Sequence, residues 1–567
     1  MTEKEYNFLF KEKMIHMDNY DVRQAKDYDF LGPFFSEVEW QDVKTAKRLF
    51  LHTKAYADFS KESSLILLGR TGTGKTAIMK CMENEIENKE IAEYAYVCPI
   101  IFDDIYRELS NFAEIDSSLD AHNRVLDAIQ MIINICVMKR LVNHYGVSGL
   151  DKVNKFLKDN DLINDDRVSF THFAAKLYEK SKSSETTIDA TVKYIVTLID
   201  CIRSIKSASY LSAATEMKCF LQEKRMLVLI DSGNDYDLRD TRFVVILKAL
   251  IYNCFEFYSQ KSRNIDVKIA IPSEVYTFIL QRLPGKYMQN TTVIQWFYDD
   301  LIKLIATRFF YYISNSKEKT VFPFLSNYSI ESLQDTKRCL ELLYNILPEN
   351  CPTSLEYEFN TIAYCIKHTL NKPRELLVIF NAFIGEIIDS NNPTIFLDDP
   401  LSISNVIHST QENLIGQALS MYNGYYPRIL DSCSLVLSDS KYLFKGKELV
   451  NALKKAERTI AQHEGYSRED IEQILLHSGL IGVVSNCHRI PPNSSLKNKK
   501  DVILLSVRFE YQVKGLLQFD KDAFYAIHPM CYEHFGCWIS PCVLVYPDKK
   551  ADRNDIINSI IKHEMPF

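Results

Sequence analysis

The chain has 567 residues, enough for roughly two to four domains that each bury a core of their own. Hydrophobic residues make up 46%, charged residues 25%, and the formal net charge is -7, a balance that excludes a disordered, collagen-like or wholly coiled-coil chain. Glycine is scarce, since 17 residues in 567 is about 3% against the usual ~7%, and this scarcity favours a helix-rich fold.

The composition also bears on where the protein acts. Met1–Lys13 is rich in charged residues, so we expect no secretory signal. The longest apolar runs, such as Val244–Tyr252, fall short of the roughly 18 residues that a membrane helix needs. The 14 cysteines form no CxxC pair, which suits a reducing compartment. The sequence therefore predicts a cytoplasmic protein without a membrane partner.

The first half of the chain alternates between helical and strand patterns. Val43–Phe59 has apolar residues at helical spacing and predicts a single lead-in helix. Five apolar runs predict strands: Ser64–Leu68, Tyr94–Phe102, Met226–Ile230, Val267–Ile271 and Thr291–Trp296. A helical insertion is expected at about residues 103–222. Because parallel strands need crossover connections, this alternation predicts an α/β fold with a mainly parallel sheet covered on both faces.

A glycine-rich loop follows the first predicted strand. Gly69–Thr76, GRTGTGKT, fits the pattern GxxxxGK[ST], in which backbone N–H groups wrap a phosphate and the next helix adds its positive N-terminus. In this pattern Lys75 reaches the β- and γ-phosphates and the Thr76 hydroxyl ligates Mg²⁺. The sequence therefore predicts a P-loop that binds ATP and Mg²⁺ through Gly69, Arg70, Thr71, Gly72, Thr73, Gly74, Lys75, Thr76 and Ala77.

The acidic half of such a site is predicted at the end of the third strand. Asp231 follows the apolar run MLVLI and is the candidate that holds Mg²⁺ with Thr76, with a helix-capping Asp as the alternative. The next residue is Ser232, so the group that activates the attacking water must come from elsewhere. Asp235 is the candidate base. If Asp235 does not serve, the chain binds ATP and turns it over very slowly.

The patterns beyond the fifth strand are helical as far as Asp389 and predict a second, helical domain. Further on, Ser467–Leu480 begins like a helix with a capping box, and two strand patterns follow, Leu480–Val484 and Val502–Tyr511. Helix followed by hairpin is the local order of a winged-helix module. Three lysines at the hairpin tip make DNA contact a hypothesis, with a solvated loop as the alternative: Lys497, Lys499 and Lys500.

Five zinc-capable side chains lie close together near the C-terminus: His528, Cys531, His534, Cys537 and Cys542. Their spacing is not that of a usual zinc finger, so packing in a core is the preferred interpretation. No nuclease, protease or deaminase constellation stands out along the chain. Any toxic activity is therefore expected to belong to another protein.

Five segments together resemble one protein family. They are GRTGTGKTAIM, LVLIDSGND, VKIAIPSEVY, TTVIQWFYDDLIKLIATRF and NKPRELLVIFNAF, and they are similar to segments of the bacterial AAA+/STAND-like P-loop ATPases found in anti-phage defence loci. The likeness covers residues 30–385 and continues more loosely to about residue 535. It implies a sheet with an extra strand between the P-loop strand and the acidic strand, followed by a helical lid.

The resemblance also implies further site residues. Arg374 on the lid would reach the γ-phosphate, and Arg308 is a weaker candidate for a phosphate or subunit contact. An ordinary arginine at a helix start or on a solvated face is the alternative for both. Two departures from the family pattern stand out: Asn234 replaces a second Asp, and Ser273 and Glu274 stand where relatives commonly have Arg-x-Asp. The family has a sensor residue at the end of the fourth strand, and the second departure leaves that role open in this chain.

The expected domains are lead-in helices in 1–60, a P-loop NTPase domain in 61–298 with the insertion, a helical lid in 299–390 and a winged-helix-like α+β region in 391–567. Motif and resemblance together imply a Mg²⁺-dependent ATPase acting as a nucleotide-driven switch in anti-phage defence. It would act as a homo-oligomer or with a separate effector protein. A nucleotide-gated scaffold with little turnover is the second hypothesis, and a DNA translocase or a small-molecule kinase ranks lower.

Overall fold

The computed structural model of the chain describes residues 14–17, 29–34, 36–109, 119–160, 162–163, 208–232, 241–260, 264–275, 290–352, 358–423, 426, 428–461, 467–490, 502–509, 517–540 and 543–547. The chain divides into two compact units. One unit is His52–Ile294, and the other combines Met1–Leu51 with Gln295–Phe567.

The unit His52–Ile294 is built on a five-stranded sheet in which all strands are parallel. Its strands are β1 (Ile66–Gly69), β2 (Tyr96–Ile101), β3 (Met226–Asp231), β4 (Ile265–Pro272) and β5 (Thr291–Val293). The spatial order is β2-β3-β4-β1-β5. All five predicted strands and their parallel pairing are confirmed. Strand β4 lies between β1 and β3, which is the position that the family resemblance implies for the extra strand.

Apolar burial explains why these segments form the sheet. Every residue of β1 and β4 is buried, as expected for strands with helices on both faces. The α-helices in the described part of this unit are α1 (Lys54–Ser60), α2 (Lys75–Glu87), α3 (Phe102–Leu109), α4 (Leu119–Lys139), α5 (Asp151–Asp159), α6 (Ala208–Phe220) and α7 (Thr241–Ser259), and a π-helical turn, Arg140–His144, follows α4. Helices α3 to α6 fall within the predicted helical insertion. Residues 164–207 of that insertion lie outside the described ranges.

The prediction of a single lead-in helix over Val43–Phe59 is wrong. The structure has two helices there, Val43–Leu49 and α1, and the backbone at Phe50 and Thr53 is extended. The Thr53 side chain accepts a hydrogen bond from the Tyr56 N–H and so caps the start of α1. A threonine at this position favours a helix start over a continuing helix, and this local competition overrides the apolar periodicity.

A buried lysine anchors the amino-terminal edge of the sheet. Lys268 of β4 has no exposed surface, and its Nζ donates to the carbonyls of Phe59 and Lys61, 2.5 Å and 2.7 Å away. Burial lowers the pKa of Lys268 to about 8. These two hydrogen bonds tie the end of α1 to the middle strand of the sheet.

The described part of the second unit starts with a short strand, Ile15–His16, and two short helices, Ser36–Glu39 and Val43–Leu49. Its remaining helices are α8 (Tyr298–Ser314), α9 (Thr336–Leu343), α10 (Thr361–Lys367), α11 (Pro373–Ser390), α12 (Ile395–Asp398), α13 (Ser402–Ser409), α14 (Gln411–Asn423), α15 (Ile429–Leu437), α16 (Gly446–Ala461) and α17 (Arg468–His477). Its strands are β6 (Asn350–Pro352), β7 (Glu358–Asn360), β8 (Leu443–Lys445), β9 (Ile481–Ile490), β10 (Val502–Arg508), β11 (Phe524–Ile527), β12 (Trp538–Ile539) and β13 (Val543–Pro547).

The predicted C-terminal hairpin is confirmed. Strands β9 and β10 pair antiparallel, from Val483 opposite Arg508 to Ile490 opposite Val502. They belong to a five-stranded sheet of order β13-β10-β9-β11-β8, in which only the β10 and β13 pair is parallel. The capping box at Ser467 is also confirmed. The hairpin tip at residues 491–501, with its three lysines, lies outside the described residues.

No helix within the described ranges combines the length and the apolar character needed to cross a bilayer.

Candidate functional site

Three glycines shape the loop between β1 and α2. Gly72 and Gly74 have φ angles of +85° and +92°, a left-handed region that residues with a Cβ rarely adopt. Gly69 is required for a different reason, because a Cβ there would collide with Thr73 Oγ1 and lie 2.9 Å from Cδ1 of Ile294. The concentration of glycine in this segment therefore has a local geometric cause at each of the three positions.

The loop gathers hydrogen-bond donors at the start of α2. Lys75 is the first residue of that helix, and its Nζ donates to the carbonyls of Gly69 and Arg70, at 3.0 Å and 3.3 Å. Gly74 precedes the helix and offers no side chain to cap it. The first N–H groups of α2 and the Lys75 ammonium therefore lie next to the same loop. Such an arrangement attracts anions, because the helix dipole adds positive potential at its N-terminus.

The other loop residues line the same turn. Thr73 Oγ1 donates to the Arg70 carbonyl at 2.7 Å and holds the loop closed on itself. Arg70, Thr71 and Thr73 are buried, whereas Thr76 and Ala77 in the first turn of α2 are partly exposed. The Thr76 hydroxyl is an oxygen ligand of the kind that Mg²⁺ prefers.

Asp231 lies at the same edge of the sheet as the glycine-rich loop. It is the last residue of β3 and pairs with Ala270 of β4, while Gly69 at the end of β1 pairs with Pro272 of β4. Strands β1 and β3 are two positions apart, which corresponds to about 10 Å across the sheet. In open α/β sheets, ligands bind outside the carboxyl ends of the strands. The chain thus brings an acidic residue and a donor-rich loop to the edge where a phosphate and its cation would bind.

The residue after Asp231 is engaged within the sheet. Ser232 is buried, and both its N–H and its hydroxyl donate to the carbonyl of Ala270. Asp235, the candidate base, lies outside the described residues, as do Gly233 and Asn234. Its role remains a prediction.

Glu274 gives the loop a partner that the sequence did not reveal. Arg70 Nε lies 4.0 Å from Glu274 Oε1, and both side chains are less than a tenth exposed. Glu274 comes two residues after the end of β4, next to Ser273. Glu274 therefore lies at the loop. Its sequence signals were its position after a buried strand and its place where relatives commonly have Arg-x-Asp.

The two predicted arginines lie in the other unit. Arg374 is in the first turn of α11, directly after Pro373, and its contact with a γ-phosphate remains a prediction. Arg308 is buried in α8, where it forms an ion pair with Glu39 and donates to the carbonyl of Leu31 at 3.0 Å. These contacts give Arg308 a structural role within its own unit.

Three of the five zinc-capable residues near the C-terminus are packed in a core. His528, Cys531 and Cys537 have no exposed surface, and the His528 ring packs edge-on against Phe509. His528 Nδ1 accepts a hydrogen bond from the Met530 N–H at 3.2 Å. Burial and the nearby Lys367 charge lower the pKa of His528 to about 3. Cys542 lies outside the described residues.

Comparison with known proteins finds no family model and no curated protein that matches this chain. The function of the chain is therefore inferred from the residues at the carboxyl edge of the sheet.

Proposed function

We propose that this chain is a Mg²⁺-dependent P-loop ATPase. One observation carries the proposal: the glycine-rich loop Gly69–Thr76 presents the start of α2 and the Lys75 ammonium at the carboxyl edge of a parallel sheet that also ends in Asp231. The strand order, with β4 between β1 and β3, supports it, since this is the arrangement that the family resemblance implies.

Different residues of the site bind the phosphates, Mg²⁺ and the attacking water. The backbone N–H groups of the loop and Lys75 bind the phosphates of ATP, and Lys75 exchanges its present carbonyl partners for phosphate oxygens. Thr76 and Asp231 hold Mg²⁺, which neutralises charge on the phosphates when it is bound. Asp235 orients or deprotonates the attacking water, and Arg374 contacts the γ-phosphate from the helical lid.

Nucleotide state then acts as a switch in bacterial anti-phage defence. When ATP is bound, its γ-phosphate would contact Lys75 and Arg374 and order a mobile element, and hydrolysis would release that element. The signal passes to a second copy of the chain or to a separate effector protein. Support for this part comes from the resemblance of the five sequence segments to defence ATPases. Loss of protection against phage in a Lys75→Ala strain, with expression unchanged, would be the expected result.

The experiment that tests the ATPase compares nucleotide binding and phosphate release in matched variants. Lys75→Ala is expected to abolish tight ATP binding, and Asp231→Ala to abolish Mg²⁺-dependent hydrolysis. Lys80→Ala is the control, because Lys80 lies on the same helix and pairs with Glu83 away from the loop. Undiminished hydrolysis in both site variants would refute the proposal.

A nucleotide-gated scaffold with little turnover is the second candidate. The observation that favours it is Ser232, whose hydroxyl is engaged with Ala270 at the position where a glutamate often follows the acidic strand. Tight ATP binding without phosphate release, with candidate partners and DNA present, would support the scaffold over the ATPase.

The C-terminal region is proposed to contain a winged-helix-like module. The order α15, β8, α16, α17, β9, β10 supports it, although β11 lies between β9 and β8 in the sheet. DNA contact at the hairpin tip is proposed from three lysines there, Lys497, Lys499 and Lys500. Unchanged binding of duplex DNA after replacing all three with Ala would remove the basis for this contact.

A further inference from the structure

Three side chains of different metal-binding chemistry meet beside helix α2. His52 lies two residues before α1, and Cys81 and Glu85 lie one turn apart on α2. One ligand atom from each lies within 4.8 Å of the others. Among the described residues, no other group of three histidine, cysteine or acidic side chains comes this close together. All three residues belong to the unit His52–Ile294.

Two of the three distances between these atoms are close to those around a small tetrahedral ion. Residues four apart on a helix share a face, so Cys81 and Glu85 point to the same side of α2. Glu85 Oε1 lies 2.9 Å from His52 Nε2 and 3.5 Å from Cys81 Sγ. Zinc bonds of about 2.0–2.3 Å place neighbouring ligand atoms roughly 3.3–3.8 Å apart. The Cys81 to Glu85 spacing already fits, and the His52 to Glu85 spacing needs to open by a few tenths of an ångström.

Tyr56 holds the second carboxylate oxygen. Its hydroxyl donates to Glu85 Oε2, while His52 and Cys81 both approach Oε1. Carboxylates that bind metals are commonly fixed by a hydrogen bond of this kind, which sets the plane of the group. Tyr56 therefore leaves Oε1 free to face the imidazole and the thiol together.

We propose that His52 Nε2, Cys81 Sγ and Glu85 Oε1 bind one Zn²⁺, with water as the fourth ligand. Binding releases the thiol proton of Cys81 and leaves the imidazole proton on Nδ1 of His52. No oxidation state changes, and therefore no oxidant or reductant is needed. The thiolate and the carboxylate balance the charge of the ion, as a mostly buried site requires. Solvent reaches the site beside His52, whose side chain is 54% exposed, whereas that of Glu85 is 11% exposed.

The site connects the segment before α1 to the helix that carries Lys75. Cys81 is six residues beyond Lys75 on α2, which corresponds to about 9 Å along the helix axis. Zinc would therefore brace α2 without entering the phosphate loop. Its binding is independent of the proposed ATPase activity, and each can fail without the other.

The test measures zinc in the full-length chain. Protein purified under reducing conditions is loaded with ZnCl₂, desalted and analysed by mass spectrometry for metal, and the wild-type chain is expected to hold one zinc. Cys81→Ser and His52→Gln are expected to lower the zinc content to near zero. Loading with Co²⁺ is expected to give a near-ultraviolet thiolate charge-transfer band that Cys81→Ser abolishes.

Two control variants match the cluster residues. His144→Gln removes a histidine that lies 3.2 Å from Glu87 in a similar His–Glu pair, and Cys254→Ser removes a buried thiol of α7. Both are expected to keep the zinc. Because His52 is half exposed, His52→Gln remains informative if Cys81→Ser fails to fold, and circular dichroism checks the fold of each variant.

Two results would overturn the proposal. A wild-type chain that holds no zinc and gives no cobalt band would mean that the cluster is a hydrogen-bonded carboxylate only. Zinc that persists undiminished in both His52→Gln and Cys81→Ser would mean that the ion is bound elsewhere on the chain.

Discussion

Arg70 in the glycine-rich loop and Glu274 after β4 form a buried ion pair, with Nε and Oε1 4.0 Å apart. Burial reduces the screening of such a pair by solvent and salt. The pair ties the loop after β1 to the neighbouring strand β4, which also pairs with the strand that ends in Asp231. A charge from the segment that follows β4 therefore contributes to the conformation of the loop, in addition to the glycines within it.

This coupling is measurable in a double-mutant cycle. We expect Glu274→Gln and Arg70→Gln each to lower the free energy of unfolding by on the order of 1–3 kcal/mol, because each leaves the opposite charge buried with less compensation. The double variant should cost less than the sum, with a coupling of about 1 kcal/mol. Urea unfolding of the four proteins provides the measurement, and strictly additive costs would show that the two side chains do not interact.

The backbone of Gly74 makes a second prediction possible. We expect Gly74→Ala to cost about 1–2 kcal/mol of stability, because φ is +92° there, and to weaken ATP binding strongly. Gly146→Ala is the matched control, since Gly146 also has a positive φ and a Cβ there would meet nothing within 4 Å. It should cost similar stability and leave ATP binding intact. Normal ATP binding by Gly74→Ala would contradict the role given to the loop.

Much of this architecture could be predicted from local patterns. Apolar runs predict the five strands of the parallel sheet, and the glycine-rich motif predicts the turn before α2. Both predictions succeed because burial and backbone conformation in these segments depend on residues close together in the sequence. The break in the lead-in helix was missed because one capping residue, Thr53, outweighs the apolar periodicity around it.

Contacts between distant segments could not be predicted in the same way. Arg308 with Glu39, and Arg70 with Glu274, join residues more than 200 positions apart, and no periodicity links such pairs. The same holds for the C-terminal sheet, where β11 lies between β9 and β8. A local helix-hairpin order predicts the hairpin but not which strand pairs beside it.

Burial of His528 makes the stability of the chain depend on pH. Burial lowers its pKa to about 3 in the fold, against 6.5 for an ordinary histidine, and the pKa of the nearby His368 is also lowered, chiefly by burial. Between pH 6.5 and about 3, His528 is protonated in the unfolded chain but not in the folded chain. The free energy of unfolding therefore falls as the pH drops below about 6.5.

The free energy of unfolding should fall less steeply with decreasing pH in His528→Gln than in the wild-type chain. Below pH 6 we expect the two slopes to differ by about 1 kcal/mol per pH unit, because that is roughly the cost of one proton taken up only on unfolding. Urea unfolding of the wild-type chain and the variant at several pH values between 4 and 7 makes the comparison. Parallel stability profiles for the two proteins would show that His528 binds its proton equally well in both states.

Lys268 makes the opposite edge of the sheet sensitive to a single substitution. We expect Lys268→Met to cost about 1–3 kcal/mol at pH 7, since the carbonyls of Phe59 and Lys61 lose a charged donor. Lys61→Met is the control and should cost less than about 0.5 kcal/mol, because the Lys61 side chain is exposed and pairs with Asp58 at the surface.

The pH dependence separates the charge of Lys268 from its packing. Burial lowers the pKa of Lys268 to about 8, against 10.5 for an ordinary lysine, so between these values the unfolded chain holds a proton that the folded chain has released. Stability contributed by this lysine therefore rises with pH in that window. The difference in unfolding free energy between the wild-type chain and Lys268→Met should grow by about 1 kcal/mol per pH unit from pH 8 to 10. A difference that stays constant over this range would mean that Lys268 keeps its proton in the fold and that the two carbonyls bind an ammonium throughout.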